Sequence, residues 1–143
     1  MDVMAETKKY CVLEINGGIG KSIMATAVCQ AIKKQYPDRK LIVISAWVEP
    51  LVNCYHIDRV YKSGSTPYFY EDFVEGNDIL FLCQEPYRSN GYITETQHLI
   101  ESWCECIGVK YNGELPSISL TPREEQQTAT AFIRQKPILL IQP

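Results

Sequence analysis

Short apolar runs recur along the chain, separated by amphipathic stretches. The runs at 10–15, 41–44 and 78–83 are rich in apolar residues, and several of these are β-branched. Runs of this length predict strands, and a strand that is apolar at almost every position is typical of a parallel sheet covered by helices. A shorter run, Arg59-Val60-Tyr61, predicts another strand between the second and third of these.

The segments between the runs carry the spacing of helices. After the first run, apolar residues recur at i, i+3, i+4, i+7 and i+8, which predicts a helix that ends before Pro37. The members of this stripe are Met24, Ala27, Val28, Ala31 and Ile32. A second stripe, at 99–107, follows a capping-box pattern formed by Thr94 and Gln97 and precedes Gly108. The sequence Thr121-Pro122-Arg123-Glu124 predicts the start of a last helix.

The order of these elements indicates the fold class. A strand, a glycine-rich turn, a helix and a second buried strand form a βαβ unit, whose crossover is right-handed in nearly all proteins. The sequence therefore predicts an α/β fold, a Rossmann-like, mostly parallel sheet flanked by helices.

Composition narrows the class of protein. The chain has 143 residues, of which 45% are hydrophobic and 22% are charged, as expected for one folded domain. The net charge of -3 gives no electrostatic reason to expect a nucleic-acid partner. No apolar run approaches the roughly 20 residues of a membrane span. The six cysteines lack the spacing of a disulfide framework or a zinc site, so we expect no metal and a reducing, cytoplasmic location.

The glycine-rich turn is the strongest chemical signal. Gly17, Gly18 and Gly20 lie between a strand and a helix, where backbone N–H groups favour an anion such as phosphate. The following Lys21-Ser22 completes the tail of a P-loop, but Ile15 stands where the first P-loop glycine belongs. A variant P-loop matches except for its signature lysine, where this chain has Asn16. A tight turn without a ligand also fits.

Features spread along the chain favour a different interpretation. The glycine-rich turn, the Tyr36-Pro37-Asp38 turn after the helix, the strand at 41–45 and the Ile57-Asp58-Arg59-Val60 segment occur in order. Together, over about residues 10–143, they resemble the N-terminal domain of the heptosyltransferase-like glycosyltransferases, glycosyltransferase family 9. The resemblance implies a GT-B arrangement of two Rossmann-like domains, in which the N-terminal domain shapes the acceptor side. The C-terminal domain binds the sugar nucleotide, and a metal is not generally required.

The resemblance also implies a division of the chain. Residues 1–120 would form the Rossmann-like acceptor-side domain, and residues 121–136 a linker helix. Residues 137–143 would be the first strand of a donor domain that this chain does not complete. An apolar strand without its neighbours would favour self-association.

The resemblance implies candidate site residues as well. In the family an Asp after the last glycine of the turn is the candidate base, and here Lys21 occupies that position. A cationic lysine cannot accept a proton, so Glu49 and Glu85, which follow predicted strands, become the candidate bases. The residues expected to contact substrate are Gly17, Gly18, Gly20, Lys21, Ser22, Tyr87 and Arg88.

The function implied is transfer of a sugar from a nucleotide-sugar donor to a glycan or other hydroxyl acceptor, with no further cofactor. Two alternatives stay open at this point. One is a nucleotide-binding protein with a variant P-loop, and the other is a non-catalytic Rossmann-like scaffold that has lost its base.

Overall fold

A four-stranded, all-parallel sheet forms the centre of the protein. A computed structural model describes residues 7–132. The strands are β1 (Lys9–Ile15), β2 (Lys40–Ser45), β3 (Arg59–Lys62) and β4 (Asp78–Leu82), in the spatial order β3-β2-β1-β4. β1 pairs with β2 on one side and with β4 on the other. The predicted α/β, Rossmann-like fold with a parallel sheet is confirmed.

The described residues contain four α-helices and two short helical turns, and two of these helices cover one face of the sheet. The four helices are α1 (Ile19–Gln35), α2 (Asn90–Ile93), α3 (Leu99–Cys106) and α4 (Pro122–Phe132), with a π-helical turn at Tyr70–Val74 and a 3-10 turn at Pro86–Arg88. α1 and α3 pack together on the sheet, and their core includes the fully buried Trp103, Ile32 and Leu13. The apolar stripes found in the sequence therefore lie where helical periodicity requires.

The opposite face is covered mainly by aromatic side chains. Tyr10 and Tyr61 project from β1 and β3, and Phe69 and Phe73 pack against them. The rings of Tyr10 and Phe73 meet edge to face with centroids 5.1 Å apart, an arrangement that their quadrupoles favour. This smaller cluster leaves Phe81 of β4 half exposed.

The strand order places a crevice at one edge of the sheet. The chain passes from β1 to β2 and β3 on one side, then returns to β4 on the other side of β1. Ligands of open α/β sheets bind at such a reversal, outside the carboxyl ends of the strands. Here the turn after β1 and the segment after β4 meet.

One local prediction was wrong. The N-cap of α3 is His98, whose Nδ1 accepts from the N–H of Ile100 at 3.3 Å, and not Thr94 of the proposed capping box. Thr94 instead ends α2, and its hydroxyl donates to the carbonyl of Asn90. The segment between β4 and α3 contains the 3-10 turn and α2, neither of which the sequence pattern indicates.

The last helix begins as expected. The N–H and hydroxyl of Thr121 both donate to the Glu124 carboxylate, and the N–H of Glu124 donates back to the Thr121 hydroxyl, which makes a reciprocal capping box. The expected linker helix, 121–136, corresponds to α4 as far as Phe132. The rest of the expected linker helix, and the strand expected at 137–143, lie outside the described residues.

None of the helices between residues 7 and 132 combines the length and hydropathy that a bilayer span requires.

Candidate functional site

The short turn after β1 contains three glycines, and the backbone and its neighbours favour glycine at only one of them. Gly17 has φ +133°, and a Cβ placed there would lie 3.1 Å from Cδ of Lys21. The positive φ makes a residue with a side chain strained at this position, and the Lys21 side chain would have to shift to accommodate it. Gly18, the N-cap of α1, and Gly20 have ordinary φ values and nothing within 4 Å of an added Cβ. The exposed surface over Gly18 and Gly20 is therefore open to another molecule.

Lys21 points away from this surface and pairs with Glu85. Its Nζ donates to both carboxylate oxygens, at 2.7 and 2.9 Å. The Lys21 side chain is 2% exposed, whereas that of Glu85 is 34% exposed. Opposite charges are needed here, because a buried ammonium without a counterion is strongly destabilising. The pair therefore presents a partly accessible carboxylate and an inaccessible cation.

Two aromatic rings enclose the ammonium. Nζ of Lys21 lies 4.7 Å from the ring centroid of Tyr87 and 5.1 Å from that of Trp103. Both distances fall within the range of cation–π attraction. Trp103 was expected as part of the apolar stripe of α3, and the stripe gave no signal for its contact with Lys21.

Local sequence fixes the orientation of Glu85. The residue is the N-cap of the 3-10 turn, where its Oε1 accepts from the N–H of Tyr87 at 3.3 Å, and Pro86 starts the turn. Proline suits this first position because its fixed φ is helical and it lacks an N–H to satisfy. The same turn places the Tyr87 ring over Lys21.

Ser22 lies beneath the turn and not in the crevice. It is fully buried, and its hydroxyl is 3.0 Å from that of Ser45, the last residue of β2. The Ser45 hydroxyl accepts from the N–H of Trp47 at 3.2 Å. In this structure Ser22 therefore ties the start of α1 to β2 and offers no surface to a substrate.

The remaining predicted residues lie apart from the ion pair or on its rim. Glu49 is exposed in the loop after β2, outside the cluster of Lys21, Glu85 and the two rings. Arg88 ends the 3-10 turn and is exposed. Of the two candidate carboxylates, only Glu85 is held in place by neighbouring groups of the crevice.

A cleft of about 740 Å³ adjoins the ion pair through Tyr87. The rings of Tyr87 and Tyr92 meet at 5.1 Å and both line this cleft. Burial, then the neighbouring Tyr92 and the Glu85 carboxylate, raise the pKa of Tyr87, so its phenol is protonated at neutral pH. Sequence reasoning named Tyr87 but missed Tyr92 and the cleft.

The wall of the cleft is tightly built around Gln97. Its side-chain amide donates to Glu105 at 2.7 Å and accepts from the Ser102 hydroxyl at 3.2 Å. A Cβ on Gly91 would overlap the Gln97 amide, so a larger residue at that position of α2 would displace the Gln97 side chain from these hydrogen bonds. The segment from α2 to α3 is thereby fixed as one wall.

Within residues 7–132, no group of three or more His, Cys, Asp or Glu side chains is arranged to hold a metal ion. Comparison of the chain with models of protein families, with curated proteins and with solved structures gave no significant match. Functional inference therefore depends on the geometry of the crevice.

Proposed function

We propose that this chain is the acceptor-side part of a glycosyltransferase, which transfers a sugar from a nucleotide-sugar donor to a hydroxyl acceptor. One observation carries the proposal. The partly exposed carboxylate of Glu85 lies at the point where the strand order reverses, and Lys21 and the N–H of Tyr87 hold it. A positioned carboxylate that an acceptor can reach is able to take the proton of its hydroxyl.

Glu85 would act as the general base in this proposal. The acceptor hydroxyl gives its proton to the Glu85 carboxylate as its oxygen attacks the anomeric carbon of the donor. The bond from that carbon to the nucleoside diphosphate breaks, and the diphosphate leaves with the electron pair. Lys21 acts as a positioning residue, because its buried ammonium contacts both oxygens of the base.

The pairing of Lys21 with Glu85 supports the proposal even though the glycine-rich turn departs from the family pattern. In the glycosyltransferases that the chain resembles, an Asp follows the last glycine of the turn. Here Lys21 occupies that position and binds the carboxylate of Glu85, from the segment after β4. In this proposal Glu85 thus supplies a carboxylate to the crevice, although it comes from a different part of the chain.

The six cysteines are free thiols, and we propose a cytoplasmic location as part of this function, since cytosolic proteins keep their thiols reduced.

The contacts of Lys21 and Ser22 favour this proposal over a P-loop. A P-loop lysine reaches the β- and γ-phosphates, and its Ser or Thr hydroxyl binds the magnesium ion. Here the ammonium is enclosed between two rings and paired with Glu85, and the Ser22 hydroxyl is buried against Ser45.

The direct test uses the natural polypeptide that carries this sequence. It is incubated with a panel of nucleoside diphosphate sugars and hydroxyl acceptors, and nucleotide release and product are measured. We expect acceptor-dependent release of nucleoside diphosphate. Tight binding of ATP that requires Mg²⁺ and disappears in Lys21→Ala would instead support the P-loop alternative. Absence of both activities would favour the scaffold.

A further inference from the structure

The cleft beside Tyr87 has the size and lining of a site for a small polar ring. Its volume of about 740 Å³ falls in the range of ligand-binding pockets, about 300–1,000 Å³. Met24 and the buried Leu99 contribute apolar surface to its lining. The lining also includes two tyrosines and a set of polar residues, which we call the polar rim: Glu95, Thr96, Gln97 and His98.

The tyrosine pair offers accessible aromatic surface. Tyr87 and Tyr92 are 41% and 37% exposed, although their rings pack edge to face at 5.1 Å. The N–H of Tyr92 donates to the N-cap hydroxyl of Ser89, which fixes the start of α2 and with it the ring. In a sugar, polarised C–H groups lie along one face of the pyranose ring. The negative face of an aromatic ring attracts these C–H groups.

The polar rim can both donate and accept a hydrogen bond. Nδ1 of His98 accepts from the N–H of Ile100 at 3.3 Å, so in the neutral imidazole the proton is on Nε2. Nε2 is then a donor, and the carboxylate of Glu95 is an acceptor on the same rim. One donor and one acceptor match the hydroxyls of a sugar.

The charges around the cleft disfavour an anion. Glu95 lines the cleft and Glu85 lies next to it beyond Tyr87, whereas no Lys or Arg is among the lining residues of this part of the structure. The nearby ammonium of Lys21 is already paired with Glu85 and enclosed. Between residues 7 and 132 no cation pairs with Glu95, and a ligand carboxylate within about 4 Å of it would bind at least about fivefold more weakly than its neutral counterpart.

We propose that this cleft binds an uncharged sugar ring, stacked on Tyr92 with its hydroxyls on Glu95 and His98, and that it discriminates against uronic acids and other anionic sugars. The proposal rests on the proposed function, in which this ring belongs to the acceptor. The preference for an uncharged sugar is argued from the charges and aromatic rings of the cleft, so a measurement of binding tests it without any assay of transfer.

The test is saturation-transfer NMR and titration with methyl glycosides. The probes are the methyl glycosides of glucose, galactose, mannose and N-acetylglucosamine, and the matched glucuronate and galacturonate. We expect at least one neutral glycoside to bind with a dissociation constant in the millimolar range, and the uronates to bind at least about fivefold more weakly. Glu95→Gln should narrow that difference.

Two variants examine the stacking ring. Tyr92→Ala and Tyr92→Leu should each weaken binding of the neutral glycoside about tenfold, and thermal unfolding confirms that both fold. Tyr70→Ala is the matched control, since Tyr70 is exposed but outside the cleft. The proposal is overturned if no neutral glycoside binds, if a uronate binds as tightly, or if both Tyr92 variants bind normally.

The binding test separates this proposal from the proposed function. If neutral glycosides bind at the cleft but no sugar is transferred from any donor, glycosyl transfer fails and the binding site stands. If sugar is transferred efficiently onto an anionic acceptor, transfer stands and the proposed specificity fails.

Discussion

The ammonium of Lys21 donates to both carboxylate oxygens of Glu85, across the gap between the segments that follow β1 and β4. The two residues differ in burial, at 2% and 34% of side-chain exposure. That asymmetry decides what happens when either partner is removed.

Removing the charge of Glu85 should lower the free energy of unfolding more than removing the charge of Lys21. Glu85→Gln leaves the enclosed ammonium without a counterion, and we expect a loss of about 3 kcal/mol in the free energy of unfolding. Lys21→Met leaves a carboxylate that water can reach, so its cost should be smaller. Urea denaturation measures both costs. Asp38→Asn is a control that breaks the exposed pair with Lys9, and it should cost much less than Glu85→Gln. Equal costs for the two variants would contradict the observed burial.

The glycines of the turn after β1 should divide into two kinds. Gly17→Ala forces a positive φ on alanine and crowds Lys21, so it should destabilise the protein by about 1–3 kcal/mol. Gly20→Ala meets no neighbouring atom and lies in a helix, so stability should hold or rise by up to about 1 kcal/mol. Thermal unfolding compares them. Because Gly20→Ala leaves the fold intact, any loss of ligand binding in that variant would locate a ligand at the turn.

The N-cap of α3 gives a direct contrast between sequence pattern and structure. His98→Ala removes the acceptor for the N–H of Ile100 and should cost about 1 kcal/mol of stability. His98→Asp should retain it, since aspartate is a strong N-cap. Thr94→Ala, at the position that the capping-box pattern favoured, should cost less than His98→Ala in chemical denaturation. If Thr94→Ala cost more stability than His98→Ala, the result would contradict the His98 cap and support the capping box of Thr94 and Gln97.

Glu114 should make stability depend on pH in the acid range. Burial opposes its ionisation, but hydrogen bonds from Lys34 and from the N–H of Asn112 outweigh burial and lower its pKa from 4.5 to about 2. The folded state therefore binds this proton less readily than the unfolded state. The stabilisation is complete above about pH 4.5 and is lost as pH falls toward 2. Denaturation of Glu114→Gln should show lower stability at pH 7 and a flatter profile between these values, and an unchanged slope would refute this role.

Local patterns predicted the strands and main helices because each depends on neighbouring residues in the sequence. β2 reads as a continuous apolar run because both its faces are covered, and α1 shows its stripe because one face meets the sheet. The α3 cap was misplaced for the same reason. Thr94 and Gln97 match a common pattern, whereas a histidine cap has no familiar sequence signature.

The candidate site depends on contacts that local pattern does not encode. Lys21 and Glu85 are 64 residues apart and meet only because β4 lies beside β1. Taken by itself, the sequence after Gly20 suggested a lysine free to bind phosphate. The burial of that lysine between Tyr87 and Trp103 follows from how α3 packs on α1. Tyr92 and the cleft likewise depend on α2, which the sequence did not predict.

The rate of sugar transfer by Glu85→Gln tests the central claim most directly. The natural polypeptide is assayed with saturating donor and acceptor below the unfolding temperature of each variant, with Glu49→Gln as the matched control from the exposed loop after β2. If Glu85 is the base, kcat should fall by about 10²- to 10⁴-fold in Glu85→Gln with little change in the KM for acceptor, and Glu49→Gln should retain normal activity. A folded Glu85→Gln variant that transfers sugar within about threefold of the unaltered protein would contradict the claim.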